Sequence, residues 1–176
     1  MQVKSGIGFG SLPDLIGTSA CAASQFRRTS RAVSRLYDAA LAPSGIRSTQ
    51  FAILTAIAKL QPISMSRVSE ILVIDAATMT RSLRLLQKDG LIEIAPRGVR
   101  RQRLLTLTLK AEKALAIAVP LWRDAQARFL AGLGREWREI RRELEHAAKI
   151  AVSLEAADAA QDTGPAPEGS ETGNPT

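Results

Sequence analysis

Cysteine and histidine are almost absent from this chain, which has one residue of each, Cys21 and His146. A single cysteine allows no disulfide within the chain. With only one cysteine, a cysteine-based zinc site would also need a second chain. The sequence also has no glycine-rich phosphate loop and no constellation of paired carboxylates. We therefore expect a protein that is not an enzyme and that holds no metal and no cofactor.

Long apolar runs are missing as well. No stretch approaches the roughly 18 to 20 consecutive apolar residues that a membrane-spanning helix requires, so we expect no membrane partner. Near the N-terminus, Gly6, Gly8, Gly10 and Pro13 interrupt any apolar segment of an export signal. These features predict a cytoplasmic protein.

Basic residues outnumber acidic ones, with 24 Lys and Arg against 17 Asp and Glu, a net charge of +7. This excess favours a polyanionic partner, although charge alone does not determine a fold. With 176 residues and 45% hydrophobic content, the chain suits one folded domain. We place that domain at residues 21–156, between a flexible glycine-rich arm (1–20) and a disordered acidic tail (157–176).

Helical spacing of apolar residues predicts long helices over residues 22–41, 48–60, 110–133 and 135–157. Ser48 or Thr49 is the expected cap of the second of these, whose nearly continuous apolar character places it in the domain centre. The last two helices and the first carry more apolar surface than a small domain needs to cover its core. Their surplus predicts a two-fold homodimer.

A pair of short helices occupies the middle of the chain. The first covers residues 64–72, with Val68, Ile71 and Leu72 directed inward. The second opens at Asp75, a good N-cap residue, and closes at Gly90. On a helical wheel, its apolar positions Met79, Leu83 and Leu86 face one side. The opposite side carries Ala77, Arg81, Arg84 and Lys88, flanked by the short hydroxyl side chains of Thr78, Thr80 and Ser82.

Two alternating β-rich runs, residues 91–94 and 104–108, follow this helix and predict a hairpin with Pro96 and Gly98 in its turn. The loop between the strands has no acidic residue and carries four arginines, Arg97, Arg100, Arg101 and Arg103. A projecting loop of guanidinium groups suits phosphates or a narrow minor groove. Taken alone, the helix face is explained more simply as a solvated cationic surface, and the loop is explained equally well as a solvated turn or as a nucleic-acid contact. As neighbours, the two features favour DNA binding. The predicted fold is mainly α with a small β-hairpin wing: a winged helix-turn-helix plus long N- and C-terminal dimerisation helices.

The order and spacing of these elements resemble the MarR family of bacterial transcription regulators across residues 21–150. The resemblance rests on the segments Leu41–Phe51, Asp75–Arg81, Leu86–Glu93 and Leu107–Thr108. It implies a winged helix-turn-helix over about 47–108 and dimerisation helices over about 22–42 and 110–156. It also implies that the protein lies in the bacterial cytoplasm and on the nucleoid when bound to DNA.

The family resemblance further implies a homodimer on double-stranded, pseudo-palindromic DNA, with recognition helices in successive major grooves and wings in adjacent minor grooves. By position, Thr78, Thr80, Arg81 and Arg84 would lie at the major groove. Arg100 and Arg101 would lie at the wing tip. Val99 stands where the family usually has the aspartate that orders the wing by ion pairing, so we expect this wing to become ordered on DNA.

Many members of the family are repressors released by a small aromatic or anionic ligand, which binds between the dimerisation helices and the DNA-binding lobe. The resemblance implies such a small-molecule effector here, and the candidate ligand-binding residues are Phe26, Arg27, Tyr37, Phe51 and Trp122. The alternative for each aromatic residue is an ordinary core or dimer contact. Some relatives sense oxidants through a cysteine near the first helix, which makes Cys21 a candidate redox site, with an inert thiol as the alternative.

Three interpretations therefore remain after the sequence alone. The first is a homodimeric, sequence-specific transcriptional regulator, with repression as its expected action. The second is a winged-helix module that binds a protein partner, or DNA without sequence preference. The third is a thiol-based redox-sensing regulator that acts through Cys21.

Overall fold

The computed structural model describes residues 21–95 and 103–162. The chain divides into two compact units, Met1–Ala127 and Arg128–Thr176, and the division falls within one continuous helix. The single domain predicted over residues 21–156 therefore stays a prediction.

The described residues form helices and short strands in an order that confirms the predicted fold class, mainly α with a small antiparallel sheet. The elements are α1 (Ala22–Leu41), α2 (Ser48–Leu60), β1 (Ile63–Ser64), α3 (Met65–Leu72), α4 (Ala76–Lys88), β2 (Ile92–Ile94), β3 (Leu104–Leu107), α5 (Leu109–Leu133) and α6 (Trp137–Asp162). One turn of 3-10 helix, Ala42–Ser44, joins α1 to α2.

Helix α2 lies at the centre of the first unit, as its apolar sequence predicted. Leu54 and Ile57 are fully buried, and the helix packs against α1, α3 and β3. Val68 of α3 and Met79 of α4 are also fully buried in the same core. Burial of such side chains stabilises a fold by roughly 1.5–3 kcal/mol each, so this core fixes the helices that surround it.

Helix α2 covers the predicted residues, but its cap residue is not Ser48 or Thr49 as predicted. Arg47 is the residue before the helix, and Ser48 is its first residue. The Arg47 N–H donates to Oε1 of Gln50 at 2.9 Å, and the Ser48 N–H donates to Oδ1 of Asp38 at 2.7 Å. The cap therefore comes partly from α1, a neighbour in space that local sequence cannot reveal.

The sheet has the strand order β1-β3-β2, and both pairings are antiparallel. The predicted hairpin of β2 and β3 is confirmed, with Ile92 opposite Leu107. Strand β1 was not predicted, because two residues are too few to show an alternating pattern. It pairs Ile63 with Leu105, which is fully buried at the sheet centre.

Helix α3 is capped by Ser64, whose hydroxyl accepts from the Arg67 N–H. Val68 points inward as predicted, whereas Ile71 is 41% exposed, contrary to the prediction. The helix is only eight residues long. Its inner face is formed by Val68 and by Leu72, which packs half-buried against the core, and Ile71 lies off this face.

The stripe predicted for α5 by apolar spacing, Ala114, Ile117, Leu121, Ala125 and Phe129, is confirmed only in part, because Ala125 is buried and Ala114 and Leu121 pack half-buried against the core. The buried residues of the helix are Ala111, Leu115, Ala118 and Ala125. Ile117 is 53% exposed. Small alanines allow α5 to approach the core closely, and this contact is easily overlooked when larger residues define the apolar stripe.

The second unit contains the end of α5 and helix α6. No residue of α6 whose burial is described is buried in this chain, and Leu144, Ile150, Val152 and Leu154 are exposed. The helix continues to Asp162, so residues 157–162, predicted to belong to a disordered tail, are helical. Alanine at four of the positions from Ala156 to Ala160 explains the extension, because alanine has the highest helix propensity. The predicted arm (1–20) and the rest of the predicted tail (163–176) lie outside the described residues.

Candidate nucleic-acid interface

Helix α4 begins where its sequence predicts. The Asp75 carboxylate accepts from the Thr78 N–H at 2.8 Å, which satisfies one of the free amides of the first turn. The same hydrogen bond holds the pKa of Asp75 below its usual value. The preceding turn includes Val73 in the left-handed region, with φ of 51°.

The end of α4 is closed by Gly90, whose φ is 67°. The Leu91 N–H donates to the Leu86 carbonyl and the Gly90 N–H to the Gln87 carbonyl, the pair of bonds that defines a Schellman motif. The Thr108 hydroxyl then donates to the Gly90 carbonyl at 2.7 Å. These bonds attach the end of α4 to the strand that leaves the wing.

The two faces of α4 are as the wheel predicted. Met79, Leu83 and Leu86 are at most 3% exposed and anchor the helix in the core. The opposite face leaves Ala77, Arg81, Arg84 and Lys88 exposed. Thr78 is exposed beside this face and Thr80 is half-buried, with its hydroxyl donating to the Ala76 carbonyl at 2.7 Å. The sequence pattern and the fold therefore agree on a cationic outer surface.

One flank of α4 meets the base of the wing. Thr80, Arg84 and Gln87 line a cleft of about 120 Å³ together with Ile94 and Arg103, which stand on the two arms of the hairpin. Arg103 is exposed and precedes β3 directly. The structure thus brings Arg84 and Arg103 together. Arg97, Arg100 and Arg101 lie outside the described residues.

The other flank of α4 borders a second cleft, of about 340 Å³. Ser82, Leu85 and Asp89 line it from α4, and Arg47 and Thr49 line it from the start of α2. Arg47 was not among the candidate residues. The signal that could have identified it is a cation directly before a helix. Only the fold, which brings the start of α2 to a cleft shared with α4, gives this position significance.

A larger cavity, of about 490 Å³, opens among α1, α2 and α5 within the first unit. It contains three of the five predicted ligand-binding residues, Tyr37, Phe51 and Trp122, and the rings of Phe51 and Trp122 stack with centroids 5.9 Å apart. Phe26 and Arg27 are not among its lining residues, and Phe26 is 49% exposed. Both stand more than two helical turns before Tyr37, too far along α1 to reach the cavity.

The polar side chains that line this cavity with a hydroxyl or an ammonium group come from α1 and α2. Lys59, Thr55 and Ser48 line it from one face of α2. Tyr37 donates from its hydroxyl to Oε1 of Gln126 on α5, and burial raises its pKa. Sequence reasoning did not identify the three polar residues of α2, although their spacing along one side of an otherwise apolar helix could have indicated them. Binding of a ligand by any of these residues stays a prediction.

Cys21 is an exposed free thiol at the residue before α1. Its role in redox sensing stays a prediction. Within residues 21–95 and 103–162, no three His, Cys, Asp or Glu side chains are grouped as a metal site would need. No helix in those ranges combines the length and apolar character that crossing a membrane requires.

Comparison with known proteins identifies the family. The MarR family profile matches residues 44–102, which contain the helix-turn-helix and the first strand of the hairpin, β2. The transcriptional regulator MosR of M. tuberculosis, solved in complex with DNA, is 35% identical. The alignment covers 76% of this chain and 98% of MosR, with a TM-score of 0.71.

One further solved structure has a similar fold, and one curated protein is similar in sequence. A mutant of E. coli MarR complexed with operator DNA has the same fold at 20% identity, with a TM-score of 0.64 over 78% of this chain and 98% of that one. The uncharacterized HTH-type transcriptional regulator YwoH of Bacillus subtilis (strain 168) is 26% identical over 89 residues, 51% of this chain. The match spans 65% of the length of YwoH. With the MosR alignment as the strongest evidence, this chain belongs to the MarR family of transcriptional regulators, which bind DNA and are not enzymes.

Proposed function

We propose that this protein is a cytoplasmic homodimer that represses transcription by binding a pseudo-palindromic operator in double-stranded DNA. The observation that carries the proposal is the exposed cationic face of α4, with Arg84 beside Arg103 at the wing base. A helix about 10–12 Å across fits a major groove about 12 Å wide, and its outward side chains then reach base edges.

The proposed DNA contacts divide by element. On α4, arginine and threonine side chains read bases and phosphates, while Ala77 leaves room for close approach. On the wing, arginines enter the adjacent minor groove. The complete set is Ala77, Thr78, Thr80, Arg81, Arg84, Lys88, Arg97, Arg100, Arg101 and Arg103.

Exposed apolar side chains support the homodimer. Helix α6 has Leu144, Ile150, Val152 and Leu154 at 42–61% exposure, and Ile117 of α5 is 53% exposed. A monomer would leave these side chains in water, whereas a second copy would cover them. A two-fold dimer presents two α4 helices, which matches an inverted repeat with half-sites about one helical turn apart.

The cavity of about 490 Å³ supports regulation by a small ligand. Its volume is within the usual range for small-molecule sites of about 300–1,000 Å³. The stacked rings of Phe51 and Trp122 suit an aromatic ligand, and the Lys59 ammonium suits an anionic group on it. We infer that an aromatic carboxylate binds here and releases the repressor from DNA.

Selection of bound fragments from a random DNA pool tests the DNA-binding part of the proposal. The affinity for the selected duplex and for a scrambled duplex is then measured at two salt concentrations, with sedimentation giving the oligomeric state. Recovery of an inverted repeat bound about 10³-fold more tightly than the scrambled duplex is the expected result. Equal and steeply salt-dependent binding to both duplexes would favour a non-specific DNA-binding protein instead.

A further inference from the structure

The clefts on the two flanks of α4 are alike in one respect: each contains an arginine from another element. Arg103 lies at the wing side, and Arg47 lies at the α2 side. Both arginines are exposed, as are Arg81 and Arg84 on the face between them. Four cations thus extend across α4 from one flank to the other.

The position of these four cations relative to DNA rests on the proposed docking of α4 in the major groove. A helix that fills the groove has a sugar-phosphate strand along each flank, because the two strands form the groove walls. The strand on the wing side passes Arg103. The other strand passes the cleft lined by Arg47, Thr49 and Ser82.

We propose that Arg47, assisted by the Thr49 hydroxyl, binds a backbone phosphate of the strand opposite to the one that Arg103 contacts. Guanidinium groups bind phosphate oxygens through charge-assisted hydrogen bonds, and hydroxyls supply further donors. The contact positions α4 in the groove and reads no bases. Arg47 is therefore a phosphate-binding residue outside both the recognition helix and the wing.

The backbone around Arg47 is well anchored for this role. The Arg47 N–H donates to Gln50 Oε1 at 2.9 Å, and the next amide, of Ser48, donates to Asp38 Oδ1 at 2.7 Å. The guanidinium therefore projects from a fixed point next to α4. Asp89 also lines the cleft. Its carboxylate repels a phosphate there, so the net attraction depends on Arg47.

The test compares Arg47→Ala with Arg123→Ala, which removes the same charge from an exposed position on α5. Binding to the selected and scrambled duplexes is measured across a salt series. Arg47→Ala is expected to weaken both affinities by roughly tenfold and to make the slope of log K against log salt shallower by about 1. Arg47→Lys is expected to retain most of the affinity, and Asp89→Asn to raise it for both duplexes.

Methylphosphonate scanning of the selected duplex locates the contact. Each phosphate is replaced in turn by a neutral methylphosphonate. The phosphate that Arg47 contacts is the one whose replacement weakens binding of the wild type but does not further weaken binding of Arg47→Ala, and we expect it on one strand. The corresponding phosphate for Arg103→Ala is expected on the other strand of the same half-site. Unchanged affinity and slope in Arg47→Ala, or phosphates for both arginines on one strand, would overturn the proposal. A wild-type protein that does not distinguish the two duplexes would instead refute the specific repressor, which separates the two failures.

Discussion

The carboxylate of Asp38 on α1 accepts a hydrogen bond at 2.7 Å from the backbone N–H of Ser48, the first residue of α2. Asp38 immediately follows Tyr37, which lines the large cavity, and α2 begins beside the recognition helix. One bond therefore connects two helices that both line the cavity, and the second of them, α2, also borders the cleft beside α4.

Removal of this bond should destabilise the fold. Asp38→Ala leaves the Ser48 amide without its partner, and we expect a loss of about 1 kcal/mol in the free energy of unfolding, as for other helix N-terminal caps. Asp38→Asn, which keeps an oxygen acceptor, should lose less. Urea unfolding of the three proteins measures the difference. Equal stability of Asp38→Ala and wild type would contradict a capping role.

Stability should fall in acid for the same reason. Hydrogen bonds from Ser48 hold the pKa of Asp38 below its usual value, and those from Thr78 do the same for Asp75. A lowered folded-state pKa means that stabilisation is complete above the unfolded pKa near 3.9 and is lost as the pH drops through the folded value. Unfolding measured between pH 6 and pH 2 should show a smaller decline for Asp38→Asn than for wild type. An equal decline in stability for the two proteins would show that Asp38 does not contribute to the loss of stability in acid.

Arg84→Ala and Arg101→Ala should each weaken operator binding and leave the dimer intact. Arg84 is exposed on the side of α4 that we propose faces DNA, and Arg101 is the wing arginine inferred from the family resemblance. We expect about 1–3 kcal/mol for Arg84 if it reads a base, with relaxed specificity at one position. Electrophoretic shifts and sedimentation provide the two readouts. Unchanged affinity in both variants would show that these two arginines do not contact the operator.

Trp122 offers a direct readout of the cavity. In Trp137→Phe, Trp122 is the one remaining tryptophan, and benzoate or salicylate bound beside Phe51 should quench its fluorescence. Lys59→Met should weaken this binding by removing the cation, whereas Lys113→Met, on the exposed side of α5, should not. Identical titrations for both lysine variants would argue against an anion site at Lys59. Release of DNA over the same concentration range would link the cavity to regulation.

Gly90 and Gly132 should respond oppositely to alanine. Neither site has an atom within 4 Å of an added Cβ, but Gly90 has a φ of +67° while Gly132 lies within α5. Gly90→Ala should cost roughly 1–2 kcal/mol because of its left-handed backbone. Gly132→Ala should be neutral or stabilising, because alanine favours helix. Thermal unfolding distinguishes them, and similar losses at both sites would contradict this explanation.

Local sequence was sufficient to predict helix α4 and the hairpin that follows it. The Asp75 cap, the stripe of Met79, Leu83 and Leu86, and the Gly90 stop depend on neighbours within a few turns, so their pattern could be read directly. The alternating strands on both sides of the arginine loop were equally local. These features determined the helix-turn-helix, the hairpin and the cationic face.

Tertiary structure decided everything that depends on contact between distant segments. Strand β1 exists because Ile63 pairs with Leu105, and the start of α2 is capped by Asp38 from α1. The cavity gathers side chains from three helices, which excludes Phe26 and Arg27 and adds Lys59. Arg47 becomes a neighbour of the recognition helix only because the fold brings the start of α2 to a cleft shared with α4. A sequence pattern records which face of a helix is apolar, but the partner of that face is chosen by packing across the whole core.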